Sequence, residues 1–177
     1  WISKALKTYP YKNGSPDRGI LVMLMMHVQY LQKGEVGYQA PGVLHAYLEG
    51  QNIELMANSD NVLRGGLTPK HIDPPEFLHH LNTEESGQYL IPSIYLMEDE
   101  AAFTPPVKDF MLKHYTVKSG NKKELQLETA SILLLSQGHI KIGSIELDAG
   151  ESILIPAYVK ADVACISSHA EYFLALG

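Results

Sequence analysis

With 177 residues, a net charge of −6 and a pI of about 5.7, the chain lacks the clustered positive surface that a nucleic-acid partner requires. Its longest apolar run, residues 20–26, is far shorter than the roughly 20 residues of a membrane-spanning helix. A single cysteine, Cys165, excludes an internal disulfide framework and fits a reducing compartment, the cytoplasm by default. The length allows one sizeable core or two small ones, and two compact β units are expected. The first residue is Trp1, and no secretory pattern follows it, so the sequence is expected to be a piece of a longer protein.

Residues 1–19 contain Pro10, Gly14, Pro16 and Gly19 among polar residues, which punctuates structure and leaves room for a short helix at most. In 20–31 the apolar residues lack a clear period at first and alternate later. This predicts a helical turn and then a buried strand. Met23, Met25 and Met26 are expected to fill core space. Residues 35–40 alternate again and end at Pro41-Gly42, a turn signal.

Residues 45–48 and 53–56 are short β-favouring runs around a turn at Gly50-Gln51. If Leu48 pairs with Ile53, His45, Tyr47 and Glu54 share one face of the hairpin. Ser59-Asp60-Asn61 reads as a turn held by side-chain to backbone hydrogen bonds. Gly65-Gly66 follows, with Arg64 before it and Lys70 after it; glycine there permits unusual backbone angles and close approach to a ligand. Asp73-Pro74-Pro75-Glu76 predicts a helix start, with an N-cap acid, proline in the first turn and an acid three residues on. The short helix should bury Phe77, Leu78 and Leu81. His71, His79 and His80 are expected to be solvated.

Residues 82–88 are polar, and Ser86-Gly87 marks the expected domain boundary, giving units at 1–87 and 88–177. Beyond it, nine short β-favouring runs (89–97, 111–117, 124–127, 132–135, 140–142, 145–147, 152–155, 163–166 and 172–176) predict a sandwich or barrel. Gly143-Ser144 fits a type II′ hairpin turn. Gly34-Glu35 to Pro41 and Gly150-Glu151 to Pro156 echo each other, as a duplicated jelly-roll strand would. Overall the sequence predicts an all-β chain.

The run from His45 to Lys70 contains His-Ala-Tyr, Gly50, Glu54, Met56-Ala57, Ser59-Asp60-Asn61, Arg64, Gly66 and Thr68-Pro69-Lys70. It resembles the signature of type I mannose-6-phosphate isomerases. Asp17-Arg18-Gly19 leading to Gly34-Glu35 is similar to that family's preceding segment, and the second β unit is similar to its C-terminal domain. The resemblance implies a cupin-like double-stranded β-helix and zinc-assisted interconversion of mannose 6-phosphate and fructose 6-phosphate. It also implies a sugar phosphate as the partner. By position it implies His45 as a metal ligand, Arg64 as a catalytic arginine, Lys70 as a substrate-site lysine, and Glu54 as an acid at the mouth of the site. Tyr47 joins them as a substrate-side residue.

The family's other zinc ligands, a Gln-x-His pair and a Glu, precede that histidine, and no such segment precedes His45 here. Gln137-Gly138-His139 has the spacing on the wrong side. A catalytic zinc needs about three protein ligands, so residues 1–87 are expected to be an incomplete part of the catalytic cupin, and 88–177 a metal-free second one. Two positions depart from the family pattern: Gln51, usually Asp, and Gly65, usually Ala.

The chemistry agrees with the resemblance. Aldose-ketose isomerisation needs a polarised carbonyl, a proton carrier and positive charge for the enediolate and the phosphate. The alternative is a non-catalytic cupin module that holds a sugar or sugar phosphate.

Overall fold

The computed structural model describes residues 1–10, 14–59, 61–84 and 89–177. They form two compact units, Trp1–Ile53 with Asn58–Leu90, and Glu54–Ala57 with Ile91–Gly177. The expected boundary at Ser86-Gly87 lies outside the described residues.

The first unit begins with two one-to-two-turn helices, α1 (Ile2–Thr8) and α2 (Gly19–Met25), which pack together and bury Ala5, Gly19 and Ile20. The helical turn expected in 20–31 is therefore present. The buried strand is not: residues 27–32 have no strand partner and Val28, Tyr30 and Leu31 are exposed. Met25 is 76% exposed, so it is not core. Extended chain becomes a strand only when a neighbour accepts its ladder hydrogen bonds.

Val36–Tyr38 (β1) pairs with Tyr89–Ile91 (β2) in a two-stranded sheet. The third helix, α3 (Pro74–His80), starts as its sequence dictates: the Asp73 side chain accepts from the Glu76 N–H at 3.1 Å, and proline occupies the first turn. Phe77 and Leu81 are half-buried. Leu78 was expected inside and is instead 67% exposed.

The second unit holds the main core. Its strands are β3 (Ile94–Met97), β4 (Glu100–Phe103), β5 (Met111–Lys118), β6 (Lys122–Gln126), β7 (Ser131–Gln137), β8 (His139–Ile142), β9 (Ile145–Asp148), β10 (Ser152–Ile155), β11 (Lys160–Cys165) and β12 (His169–Leu176). One sheet has the order β10-β7-β12-β5-β4-β3 and the other β6-β11-β8-β9, with antiparallel pairing throughout. The strands from β5 to β12 fall where the β-favouring runs predict them. β4 was not anticipated.

Alternation explains the core. Inward residues Tyr115, Val117, Leu125, Leu133, Leu135, Ile140, Val163, Ala170, Tyr172 and Leu174 are buried from both sheets in one cluster. Each fully buried large side chain contributes roughly 1.5–3 kcal/mol. The Tyr115 and Tyr172 rings stack at 4.9 Å. At one edge of this core Glu100 is nearly buried. Burial opposes its charge, but Lys123 at 2.9 Å, Lys113 at 3.2 Å and the Tyr115 hydroxyl at 3.0 Å hold it below the ordinary carboxylate value.

The β8–β9 hairpin closes as expected through Gly143 at φ +60°, with Ile142 opposite Ile145. Its outer face pairs His139 with Asp148 and Lys141 with Glu146. His139 Nδ1 lies 2.7 Å from Asp148 Oδ1 and Nε2 lies 3.3 Å from Glu146 Oε2. The β7–β8 junction depends on Gly138, at φ +90°, where an added Cβ would lie 2.3 Å from the His169 carbonyl oxygen and 2.9 Å from Ala170 Cα.

Gly138→Ala must therefore displace β12 at its first residues, and it should reach or exceed the upper end of the ~0.5–3 kcal/mol that most single substitutions cost; urea unfolding measures it. A pH effect follows from His139. Hydrogen bonds donated to Asp148 and then to Glu146 raise its pKa above the ordinary 6.5, and the Glu146 carboxyl is lowered below 4.5, first by His139 and then by Lys141. The raised histidine stabilises fully below the unfolded value and loses that effect as pH rises through the folded one; the lowered acid does the reverse on the acid side. The melting temperature should fall on going from pH 6 to pH 8, and His139→Gln should flatten that fall.

Candidate functional site

Glycine packing builds the loop that carries the candidate cations. Gly66, at φ +138°, crosses Gly19 so closely that an added Cβ would sit 2.9 Å from Gly19 Cα; Leu67 follows in the left-handed region at φ +50°. The Asp17 side chain accepts from the Gly19 N–H at 2.7 Å and fixes the other side of the crossing. Thus Asp17-Arg18-Gly19 and Gly65-Gly66, distant in sequence, meet in space. Gly65 lies against Phe77 of α3 and Leu44, where a Cβ would come within 3.0 Å and 3.2 Å. Arg64, next in the chain to this packed glycine, is half-buried.

Lys70 ends the loop and is exposed; its N–H donates to Thr68 Oγ1 at 3.2 Å, which orders the turn before it. Ser59 Oγ accepts from the Asn61 N–H at 3.4 Å, the side-chain bond expected there, while residue 60 lies outside the described residues.

His45 follows a tight turn. Pro41 and Gly42, the latter at φ +81°, set it, and the Val43 N–H donates to the Ala40 carbonyl at 3.3 Å. The Gly42 carbonyl accepts from the Asn82 N–H at 2.9 Å, tying this turn to the residues after α3. His45 Nδ1 lies 2.9 Å from the Val43 carbonyl. A carbonyl only accepts, so Nδ1 carries a proton, and in the neutral ring the lone pair is then on Nε2. That is the tautomer of a histidine able to ligate through Nε2, oriented by a backbone oxygen on its other side.

The expected hairpin is not formed. Residues 43–58 carry no strand, although Gly50 turns at φ +111°. Two four-residue runs without a third strand lack the packing that makes a ribbon stable. The shared face of His45, Tyr47 and Glu54 therefore does not arise from a ladder. His45, Tyr47 and Glu54 are all exposed, and Glu54 falls in the short span Glu54–Ala57 assigned to the second unit. Among the described residues no three His, Cys, Asp or Glu side chains gather as a metal site needs. His45 offers one ligand of the about three a zinc requires. Both ring nitrogens of His139, the residue with coincidental Gln-x-His spacing, lie within 3.3 Å of carboxylates.

Sequence reasoning missed the Gly19–Gly66 crossing, although the glycines in Asp17-Arg18-Gly19 and Gly65-Gly66 were its signal.

The two antiparallel sheets closed over one core define an all-β chain of the cupin class. The family model for the phosphomannose isomerase type I C-terminal region matches residues 103–145. Mannose-6-phosphate isomerase from Escherichia coli is 36% identical over 146 residues, 80% of this chain and 37% of that protein; the Homo sapiens enzyme is 36% identical over 131 residues, 70% and 31%. A solved mannose 6-phosphate isomerase from Salmonella typhimurium, bound to substrate and a zinc atom, aligns with TM-score 0.54 and 27% identity over 69% of this chain and 32% of its own. The chain is similar to the C-terminal portion of type I phosphomannose isomerases and spans about a third of the length of those relatives.

Gly66→Ala should destabilise the first unit by about 1–3 kcal/mol, because the new methyl group is driven into the Gly19 backbone at a positive φ. Hydrogen exchange checks it: amides near Gly19 and Leu67 lose protection while those of β5, β7 and β12 keep theirs.

Proposed function

We propose that this chain is the C-terminal part of a mannose-6-phosphate isomerase, in which residues 1–87 contribute to the catalytic cupin. The observation that carries the reading is a spacing. Three solved Salmonella typhimurium phosphomannose isomerases are alanine variants at a histidine, a glutamate nine positions on, and an arginine ten further. His45, Glu54 and Arg64 stand at the same intervals here. Other variants of that enzyme, at two lysines, a histidine and a glutamate, lie more than 100 positions before its histidine, whereas 44 residues precede His45.

In this reading His45 offers Nε2 to the metal, held by its Nδ1–H bond to Val43. Zinc, present in a solved relative, supplies Lewis acidity when bound; the described residues of this chain do not hold it alone. Arg64, steadied by the glycine crossing, supports negative charge that develops on the sugar oxygens as the proton moves between adjacent carbons. Glu54 is the acid that carries or steers that proton, Lys70 draws the phosphate as a point charge, and Tyr47 borders the sugar. The buried free thiol of Cys165 fits a reducing cytoplasmic setting. The non-catalytic module is favoured by one observation, the lack of a three-ligand cluster among the described residues. Metal content separates the two, with about one zinc per full-length chain for the enzyme and none for the module.

In the full-length protein, a coupled assay for fructose 6-phosphate should show turnover, and Arg64→Ala should lower kcat about 10²–10³-fold, the scale of losing one charge-stabilising donor. The 177-residue chain alone with added zinc should be inactive. Full activity of the Arg64→Ala enzyme, or turnover by the isolated chain, would overturn this assignment of roles.

A further inference from the structure

The second unit carries a cleft that the isomerase reading does not use. It has a volume of about 230 Å³ and is lined by Gln126, Leu127, Glu128, Tyr158 and Lys160. Two observations mark it. First, Tyr158 is 87% exposed, the most exposed large hydrophobic side chain among the described residues, yet its backbone is fixed: its N–H donates to the Leu127 carbonyl at 2.8 Å and the Leu127 N–H to the Val159 carbonyl at 3.4 Å.

Second, that backbone sits at φ +62°, one of two non-glycine residues in the left-handed region among the described residues. A bulky aromatic there is unusual, and such strain persists where the surroundings impose it. Glycine would meet the turn without strain; this chain places an aromatic ring there instead. A rigid exposed tyrosine offers a large flat surface at little entropic cost on binding.

The rim decides the ligand. Gln126 offers an amide donor and acceptor, Glu128 an acceptor, and Lys160 donors. Lys160 lies opposite Gln126 across the β6–β11 ladder and its ammonium is 3.9 Å from Glu124. The Lys160 ammonium thus has the Glu124 carboxylate beside it and Glu128 shares its rim, which disfavours a phosphate or other anion. An apolar wall with mixed donors and acceptors suits a ring that has one hydrophobic C–H face and hydroxyls at its edge. The cleft is smaller than the roughly 300 Å³ of typical drug-sized sites, which limits the occupant to a single ring.

We propose that the Tyr158 cleft is a binding site for a neutral monosaccharide, stacked on the tyrosine with its hydroxyls on Gln126, Glu128 and Lys160. The test is a titration of the isotope-labelled 177-residue chain with mannose, and separately with mannose 6-phosphate, followed by amide NMR. Mannose should give saturable shifts at Leu127, Glu128, Tyr158 and Lys160, with mannose 6-phosphate binding no tighter. Tyr158→Gly, which suits the positive φ and keeps the fold, should weaken mannose binding about tenfold or more, and Tyr158→Phe should retain most of it. No saturable shift at the cleft, an unchanged response in Tyr158→Gly, or tighter binding of the phosphorylated sugar would overturn the proposal. The titration reads the cleft alone, so its outcome is separate from that of the isomerase assay.

Discussion

The second unit depends on β12 pairing with β5 on one side and β7 on the other. Ala170, Tyr172 and Leu174, the inward positions of that strand, are at most 1% exposed. Side chains alternate with period two, so a one-residue slip would send all three to solvent and bring Glu171 and Phe173 into the core. The register against β7 does shift once, between Glu171 and Tyr172. Ser136 Oγ donates to the Glu171 carbonyl at 2.9 Å at that point, satisfying a backbone group that the irregular ladder would otherwise strand. The small residue near the start of the strand serves the same end: Ala170 lies beside Gly138, where no side chain fits.

The first unit is held together on a different principle. Its buried residues among those described are Ala5, Gly19 and Ile20, too few for hydrophobic burial to fix long loops, and Leu21, Leu24 and Met25 of α2 are exposed. Close backbone approach takes the place of a core. Gly66 crosses Gly19, Gly65 lies on Phe77 and Leu44, and Gly42 is tied to Asn82. This has a consequence for Arg64 and His45. Each is positioned by backbone geometry a residue or two away, through Gly65-Gly66 and through the Val43 carbonyl, so their placement tolerates exposed neighbours but not a side chain at the glycines.

Legibility in the sequence followed the same division. From β5 to β12, alternating Leu, Ile, Val and Tyr between Gly-containing turns marked the strands to within three residues, because burial on one face is a local pattern. β4 escaped notice: Glu100, Ala101, Ala102 and Phe103 are all buried, and alanine and glutamate carry no strand preference. Its pairing with β5 and the ions on Glu100 put it there. Conversely, the runs at 28–31 and 45–56 look like strands but lack partners, and pairing is not a property of a run by itself. For the candidate site, the resemblance of the run from His45 to Lys70 singled out His45, Glu54, Arg64 and Lys70, while the glycine crossing next to Arg64 could only be seen once residues 19 and 66 met. The Asp73 cap was fully readable, since every interaction it needs lies within three residues.

The two units also divide their polar groups differently. In the second, charge within the core is consumed by its own partners: Glu100 takes two ammoniums and a phenol, and the Tyr115 hydroxyl that donates to it is pushed up, first by burial and then by that carboxylate. Removing Glu100 would leave two ammoniums without the carboxylate they share, so the cluster is bound to its structural task. The Tyr172 hydroxyl, without a hydrogen-bond partner among the described residues, is tolerated because ring burial and stacking on Tyr115, the latter worth roughly 0.5–1.5 kcal/mol, offset a lost hydrogen bond of about 1–3 kcal/mol. What remains available for ligands in that unit lies on its rim, where Tyr158 stands. In the first unit the opposite holds: His45 Nε2 is not claimed by the bond that orients the ring, and Arg64 and Lys70 sit on a loop shaped by the glycine crossing and by the Asp17 and Thr68 side chains. A fold that leaves such groups uncommitted to its own stability can commit them to a substrate.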